Sequence, residues 1–242
     1  MEDSMGSPYG FELTGGYQAC TAKSDKFFCG LPEAALKMLD RIKFTSGYPK
    51  GAVLFSEQEA PRGVFILCKG RAKLSMTSSE GKSVILRLAD PGEVLGLHAV
   101  VSNQPYQASA ETLESCEVIF IRREDFLRLL RESPEASLHA AQQLSQSYQM
   151  ACEQVRSLGL AHSAMGKLAG FLLLWASKGQ PAKEGTRVLL TLTHEEIGQM
   201  IGLSRETVTR TMGDFKRRQW VGTRGATLVI HNKGALQQSA GI

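Results

Sequence analysis

Thr193-His194-Glu195-Glu196-Ile197-Gly198-Gln199-Met200-Ile201-Gly202-Leu203-Ser204-Arg205-Glu206-Thr207-Val208-Thr209-Arg210 is the stretch that decides the reading. It opens on a capping box, because the Thr193 hydroxyl can accept from the backbone N–H three residues on while Glu196 reaches back to the cap. A helix therefore starts at His194 and runs to Ile201. Gly202 ends it in the left-handed conformation that side chains with a Cβ avoid, Leu203 can plug the turn, and Ser204 caps the next helix. In that helix Val208, Met212 and Phe215 face inward with Ile197 and Ile201 from the helix before, leaving Arg205, Glu206, Thr209 and Arg210 outward. Two helices joined by so short a turn, with hydrogen-bonding side chains at the exposed start of the second, form a helix-turn-helix. Trp220-Val221 and Leu228-Val229-Ile230, separated by a Gly/Thr/Arg turn, add a small hairpin and make the unit winged.

Such an exposed face suits double-stranded DNA. An arginine fork matches guanine O6 and N7, and a carboxylate accepts from the exocyclic amine of cytosine. Arg205, Glu206 and Arg210 can thus read G·C pairs, with Thr209 beside them. Ser204, Thr207, Lys216, Arg217, Arg218 and Arg224 are expected at phosphates, where they give affinity without sequence information. A plainer reading makes Glu206 and Arg210 a solvated i, i+4 ion pair and lets the basic run complement the helix C-terminus. That accounts for the charges but not for the agreement of cap, turn and wing.

Charge along the chain agrees. Residues 1–154 carry 16 Lys and Arg against 19 Asp and Glu, whereas residues 155–242 carry 12 against 5. An acidic front and a basic rear suggest a module that meets a polyanion tethered to one that does not. The 242 residues, 43% hydrophobic and 21% charged, fit two modest domains better than one. The longest apolar stretch, Phe171 to Ala176, is too short to cross a bilayer, and the N-terminus lacks the pattern of an export signal. Five cysteines, Cys20, Cys29, Cys68, Cys116 and Cys152, are odd in number and irregularly spaced, which argues against a secreted disulfide framework. A cytoplasmic location is expected, with no membrane contact.

Ahead of the basic module, residues 1–29 are rich in Gly, Ser and Tyr and read as an arm. Pro32 to Ile42 is a short helix with Leu36, Leu39 and Ile42 on one face. Between Lys50 and Ile121 the pattern changes to short β-rich runs: Ala52 to Phe55, Gly63 to Cys68, Ala72 to Thr77, Ser83 to Leu88 and Glu117 to Ile121. Gly, Pro and Asp punctuate them, so an antiparallel sandwich or barrel is predicted, solid or enclosing a small ligand. Pro134 opens a long helix in which Ala141, Leu144, Tyr148, Ala151, Val155 and Leu158 step by 3, 4, 3, 4, 3, a heptad seam suited to a homodimer. Met165 to Ser177 is a second helix, followed by a strand from Arg187 to Leu192.

The run from Glu196 to Arg210 closely resembles the DNA-binding signature of the bacterial Crp/Fnr regulators, and the resemblance extends over roughly residues 30–242 through Asp90-Pro-Gly-Glu-Val-Leu-Gly-Leu97 and the long helix. It implies an α+β fold: a cyclic-nucleotide-binding-like β-roll (jelly roll) sensor over 30–133, a dimerisation helix over 134–159 and a winged helix-turn-helix over 160–242. The activity it implies is sequence-specific transcription regulation by a homodimer on a palindromic operator, with RNA polymerase as a further partner. Arg205, Glu206 and Arg210 fall where the cyclic-AMP branch reads a GTGA-type half-site.

The sensor does not carry over as simply. Gly92 and Glu93 remain of the cyclic-nucleotide pocket, but the Arg-Ser pair that holds the phosphate aligns with Gln107 and Ala108, and Ala151 and Cys152 replace the Thr-Ser pair of the long helix. Cyclic AMP is not the expected effector, although Arg87 or Arg122 could substitute if they pointed inward. Cys20 and Cys29 resemble part of the cysteine cluster of the iron–sulfur branch, yet Lys23 stands at a middle ligand and Ile119 at the fourth, three positions after Cys116; a cubane needs four thiolates. His98 lies near the haem-ligating position of the carbon-monoxide branch, but a lone His between apolar neighbours reads as a packed residue. Neither metal nor cofactor is expected. Nor is an enzyme: His139, His162, His194 and His231 come with no nucleophile, base or paired acid. The effector stays unassigned, with a cyclic nucleotide or a redox or haem signal through Cys20, Cys29 or His98 as the alternatives.

Overall fold

The computed structural model of the chain describes residues 31–160, 163–177, 179–182 and 185–241. The chain divides into two compact units between Met150 and Ala151, inside the long helix rather than at either of its ends. In the first unit α1 (Glu33–Ile42) precedes β1 (Lys43–Tyr48), β2 (Val53–Phe55), β3 (Gly63–Lys69), β4 (Ala72–Thr77), β5 (Ser83–Ala89) and β6 (Val94–Leu95). Then come α2 (Leu97–Ser102), β7 (Ser109–Thr112), β8 (Cys116–Arg122), α3 (Arg123–Glu132) and the start of α4 (Pro134–Leu160). The strands form two four-stranded antiparallel sheets, ordered β1-β8-β3-β6 and β2-β7-β4-β5.

Strand β3 shows why the sheets stack as they do. Every residue from Gly63 to Cys68 is buried, so both faces of the strand are covered, and the period of two sorts them. Val64, Ile66 and Cys68 enter a core with Leu39, Val100, Phe126 and Leu129 from α1, α2 and α3. Phe65 and Leu67 turn the other way, into a core with Phe55, Leu95, Tyr106 and Val118. That second core is aromatic. Tyr106 stacks on Phe55 with 4.1 Å between ring centres, and Phe65 lies 5.4 Å from Phe55 and 4.9 Å from Phe120.

The strands predicted in the first unit appear with ends moved by one residue or not at all. Strands β1, β6 and β7 and helices α2 and α3 went unpredicted. β1 follows α1 without a break, β6 is two residues long, and the alternation of Ser109-Ala-Glu-Thr112 is too brief to register. Helix α3 buries only Phe126 and Leu129, an i, i+3 pair among charges. Helix α4 begins as its sequence dictates: Ser133 Oγ accepts from the Ala136 N–H at 3.2 Å and Pro134 takes the first helical position, where no N–H is needed.

In the second unit α5 (Ala164–Ala176) is followed by β9 (Gln180–Ala182), β10 (Gly185–Leu189), α6 (His194–Ile201) and α7 (Arg205–Arg217). The chain then closes with β11 (Val221–Arg224), β12 (Thr227–Ile230) and α8 (Lys233–Ala240). The expected hairpin is thus one edge of a four-stranded sheet, β11-β12-β10-β9. The strand expected over Arg187 to Leu192 runs instead from Gly185 to Leu189, and the Leu190 N–H still donates to the Ala226 carbonyl at 2.8 Å, in step with the pairing of β10 and β12. Helix α5 is the hub, and its Trp175 indole N–H donates to the Leu189 carbonyl at 2.9 Å.

Tyr106 is 1% exposed, and its hydroxyl donates to the Gly63 carbonyl at 2.6 Å and accepts from the Gly63 N–H at 3.2 Å. Tyr106→Phe strands both buried backbone groups and is expected to lower the unfolding free energy of the first unit by about 1–3 kcal/mol, measured by urea denaturation.

Candidate nucleic-acid interface

The helix-turn-helix is built as its sequence requires. Thr193 Oγ1 accepts from the Glu196 N–H at 3.2 Å, and the Thr193 N–H donates to the Glu196 carboxylate at 2.8 Å, closing the capping box. Gly202 takes φ +68°, and the Leu203 N–H turns back onto the Gly198 carbonyl at 2.9 Å. Gly198 is a second requirement, which the sequence did not announce: a Cβ there would lie 2.4 Å from the Leu203 carbonyl oxygen. Ser204 caps α7, accepting from the Thr207 N–H at 3.2 Å. Ile197, Ile201, Val208, Met212 and Phe215 are all buried, which fixes how α7 is rotated.

That rotation leaves Arg205, Glu206, Thr209 and Arg210 exposed together. Glu206, at the start of α7, has its carboxyl held below the usual carboxylate range by its own backbone N–H, the Ser204 hydroxyl and the neighbouring Arg205. It is therefore an ionised acceptor at neutral pH. Thr209 Oγ1 lies 2.8 Å from His194 Nδ1 and donates to the Arg205 carbonyl at 2.9 Å. Ser204 and Thr207 share a 3.0 Å hydroxyl contact at the cap.

The basic residues beyond them differ among themselves. Lys216 is exposed. Arg217 is paired with Asp214 one turn back, and the Arg218 guanidinium lies over the Trp220 ring, 5.2 Å from its centre. Trp220 in turn stacks on Phe215. Arg224 is exposed at the end of β11.

The sensor positions differ in exposure and in partners. The Glu93 carboxylate is committed, taking the Asp90 N–H at 2.9 Å and pairing with Arg87. Gly92 is buried and donates to the Leu67 carbonyl at 2.6 Å. Gln107 is exposed, Ala108 is buried, and the Arg122 guanidinium lies 5.1 Å over the Phe44 ring. His98 departs from the packed residue expected, because α2 turns Leu97, Ala99 and Val100 inward and leaves it exposed. Cys116 is buried at the start of β8, and burial pushes its thiol up to about 11. Cys20 and Cys29 lie outside the described residues. Among those described, no three His, Cys, Asp or Glu side chains gather to hold a metal, and no helix is long and apolar enough to cross a membrane.

Along α4, Tyr148 and Val155 are 72% and 71% exposed, and Ala141 and Ala151 are exposed too. Leu144 departs from the seam, packing partly against its own core beside Ala136 and Ala140. The Leu158 side chain lies outside those described.

Residues 46–133 match the family of the cyclic nucleotide-binding domain, and residues 166–239 match the Crp-like helix-turn-helix domain. The global nitrogen regulator of Synechocystis is 30% identical over 197 residues, covering 79% of this chain and 86% of that one. The chain belongs to the Crp/Fnr family of transcriptional regulators. The CRP-like cAMP-activated global transcriptional regulator of Mycobacterium tuberculosis is 25% identical over 214 residues, 88% of this chain and 95% of that one. The fold is also that of FixK2 from Bradyrhizobium japonicum, at TM-score 0.70 and 22% identity over 81% of this chain and 96% of that one. The c-di-GMP-responsive regulator CLP of Xanthomonas campestris has it at TM-score 0.73 and 15% identity, over 83% and 99%. As a Crp/Fnr regulator the chain is a DNA-binding transcription regulator, and these relatives are regulators rather than enzymes.

In this Crp/Fnr chain burial, helped by Lys216 and Arg205, holds the His194 imidazole below its ordinary value of 6.5. Above that value the ring is neutral in folded and unfolded chains alike. As pH falls below it the unfolded chain takes up the proton first, so stability is lost down to the lowered value. The stability of the protein relative to His194→Asn should therefore decline between pH 7.5 and pH 5.5, read by urea denaturation across the series.

Proposed function

We propose that α7 enters the major groove as the recognition helix of a homodimer on a palindromic operator, with Arg205, Glu206, Thr209 and Arg210 at base edges. The observation that carries this reading is the double constraint on α7: its inner face is locked by Val208, Met212 and Phe215, and its outer face holds those four side chains together at the capped end. Arginine forks suit guanine, and the ionised Glu206 suits the cytosine amine. Ser204, Thr207, Lys216 and Arg224 meet phosphates, while Arg217 and Arg218 reach them only by leaving Asp214 and Trp220. The division of labour follows the chain: a sensor over 30–133, a dimerisation helix over 134–159 and a DNA-binding domain over 160–242. RNA polymerase, in the cytoplasm, is the machinery such a regulator acts on.

The effector is not a cyclic nucleotide held by an arginine, in this reading. Arg87 is already paired with Glu93 and Arg122 lies over Phe44, so a cyclic phosphate would first have to displace an existing partner. A signal acting on the β-roll would shift a two-state equilibrium in how the recognition helices are presented.

Arg205→Ala is expected to cost about 1–3 kcal/mol on an operator selected from random DNA and to relax specificity at one base pair. Fluorescence anisotropy at fixed salt measures both, and undiminished affinity would falsify the base-reading role.

The dimer seam is tested separately. Tyr148→Asp puts a charge where Ala141, Tyr148, Ala151 and Val155 are to meet their counterparts, and is expected to give a monomer in sedimentation with operator affinity reduced at least tenfold. A variant that sediments as the parent does removes this stripe from the interface.

A further inference from the structure

His194 and Thr209 lie fifteen positions apart and meet across the turn, with imidazole Nδ1 2.8 Å from the threonine oxygen. The same oxygen is 2.9 Å from the Arg205 carbonyl. A carbonyl only accepts, and a hydroxyl has a single hydrogen. The hydrogen toward Arg205 is therefore threonine's own, and the one between His194 and Thr209 comes from the imidazole. Two consequences follow. The ring carries its proton on Nδ1, and the threonine oxygen is held from two elements at once, by the α6 histidine and the α7 backbone. With its oxygen so held, a β-branched side chain has no freedom to exchange oxygen for methyl.

We propose that His194 is a positioning residue that locks the Thr209 hydroxyl against the protein, so that Thr209 reads DNA through its methyl group, against the C5-methyl of a thymine. This rests on α7 being the recognition helix. Thr209 is exposed between Thr207 and Arg210, in the stretch that meets base edges. A polar acceptor such as adenine N7 would need the hydroxyl hydrogen, which is spent on Arg205. A thymine methyl projects into the major groove and needs only an apolar neighbour.

The experiment replaces each operator thymine in turn by deoxyuridine, which removes only the methyl. One position per half-site should weaken binding about fourfold, and about fifteenfold when both half-sites are changed, the effect of one buried methyl at each. Thr209→Val, with methyl and no hydroxyl, keeps that penalty; Thr209→Ser, with hydroxyl and no methyl, abolishes it. His194→Ala shrinks the penalty and His194→Asn, whose amide donates from nearly the same place, restores it. A Ser variant that retains the penalty, or a Val variant that lacks it, overturns the methyl contact. An undiminished penalty in His194→Ala overturns the positioning role. Arg205→Ala separates the two levels: if it loses affinity while no uracil-sensitive position exists, the recognition helix stands and this inference falls. If it binds as the parent does, both fall.

Discussion

The exposed face of α7 proposed to read DNA depends on one close approach, that of the α6 helix to the turn after it. Gly198 lets the Leu203 carbonyl come where a methyl would collide, and Gly202 supplies the left-handed residue that reverses the chain. With Ser204 as cap, α7 starts at once, and its rotation is set by the buried Val208, Met212 and Phe215. A side chain in either glycine's place would push the two helices apart or let α7 roll. In both cases Arg205, Glu206, Thr209 and Arg210 would still be exposed but no longer side by side, and the base reading proposed for them needs them in register.

Most of that site is legible in the sequence because its determinants are local. A capping box, a glycine C-cap and a serine N-cap all lie within twelve residues, and each is a hydrogen-bond requirement that its residue type meets. The inward face follows from the helical period. What escapes notice is non-local. The bond between His194 and Thr209 depends on how two helices cross, and the stacking of Arg218 on Trp220 depends on where the chain turns after α7. Neither has a signal in residue spacing, so a run of three basic residues looks uniform when only Lys216 is left without a neighbour of that kind.

The β-roll is less legible, for a related reason. Its central strand β3 is buried on both faces, so it reads as a continuous apolar run with no alternation to mark which side meets which layer. Beside it β8, from the far end of the unit, pairs with both β3 and β1, Gly63 opposite Arg122 and Lys43 opposite Ile121. Register of that kind is set by tertiary packing. Tyr106 likewise reaches Gly63 across the aromatic core, and Arg87 on β5 finds Glu93 six residues on, in the turn before β6.

That last pair sits beside a polar clamp between the roll and the long helix. The Gln143 amide of α4 donates to the Val94 carbonyl at 2.7 Å and accepts from the Val94 N–H at 3.3 Å, doing for this two-residue strand what a neighbouring strand would otherwise do. Val94 directly follows Glu93. An effector that draws Arg87 away from Glu93 therefore acts one residue from the place where the helix is tied to the sheet, and no long relay is needed to couple them. Coupling of this sort is worth only the difference in effector affinity between the two arrangements. A ligand that bound both arrangements of α4 equally well would leave their balance unchanged, however tightly it bound.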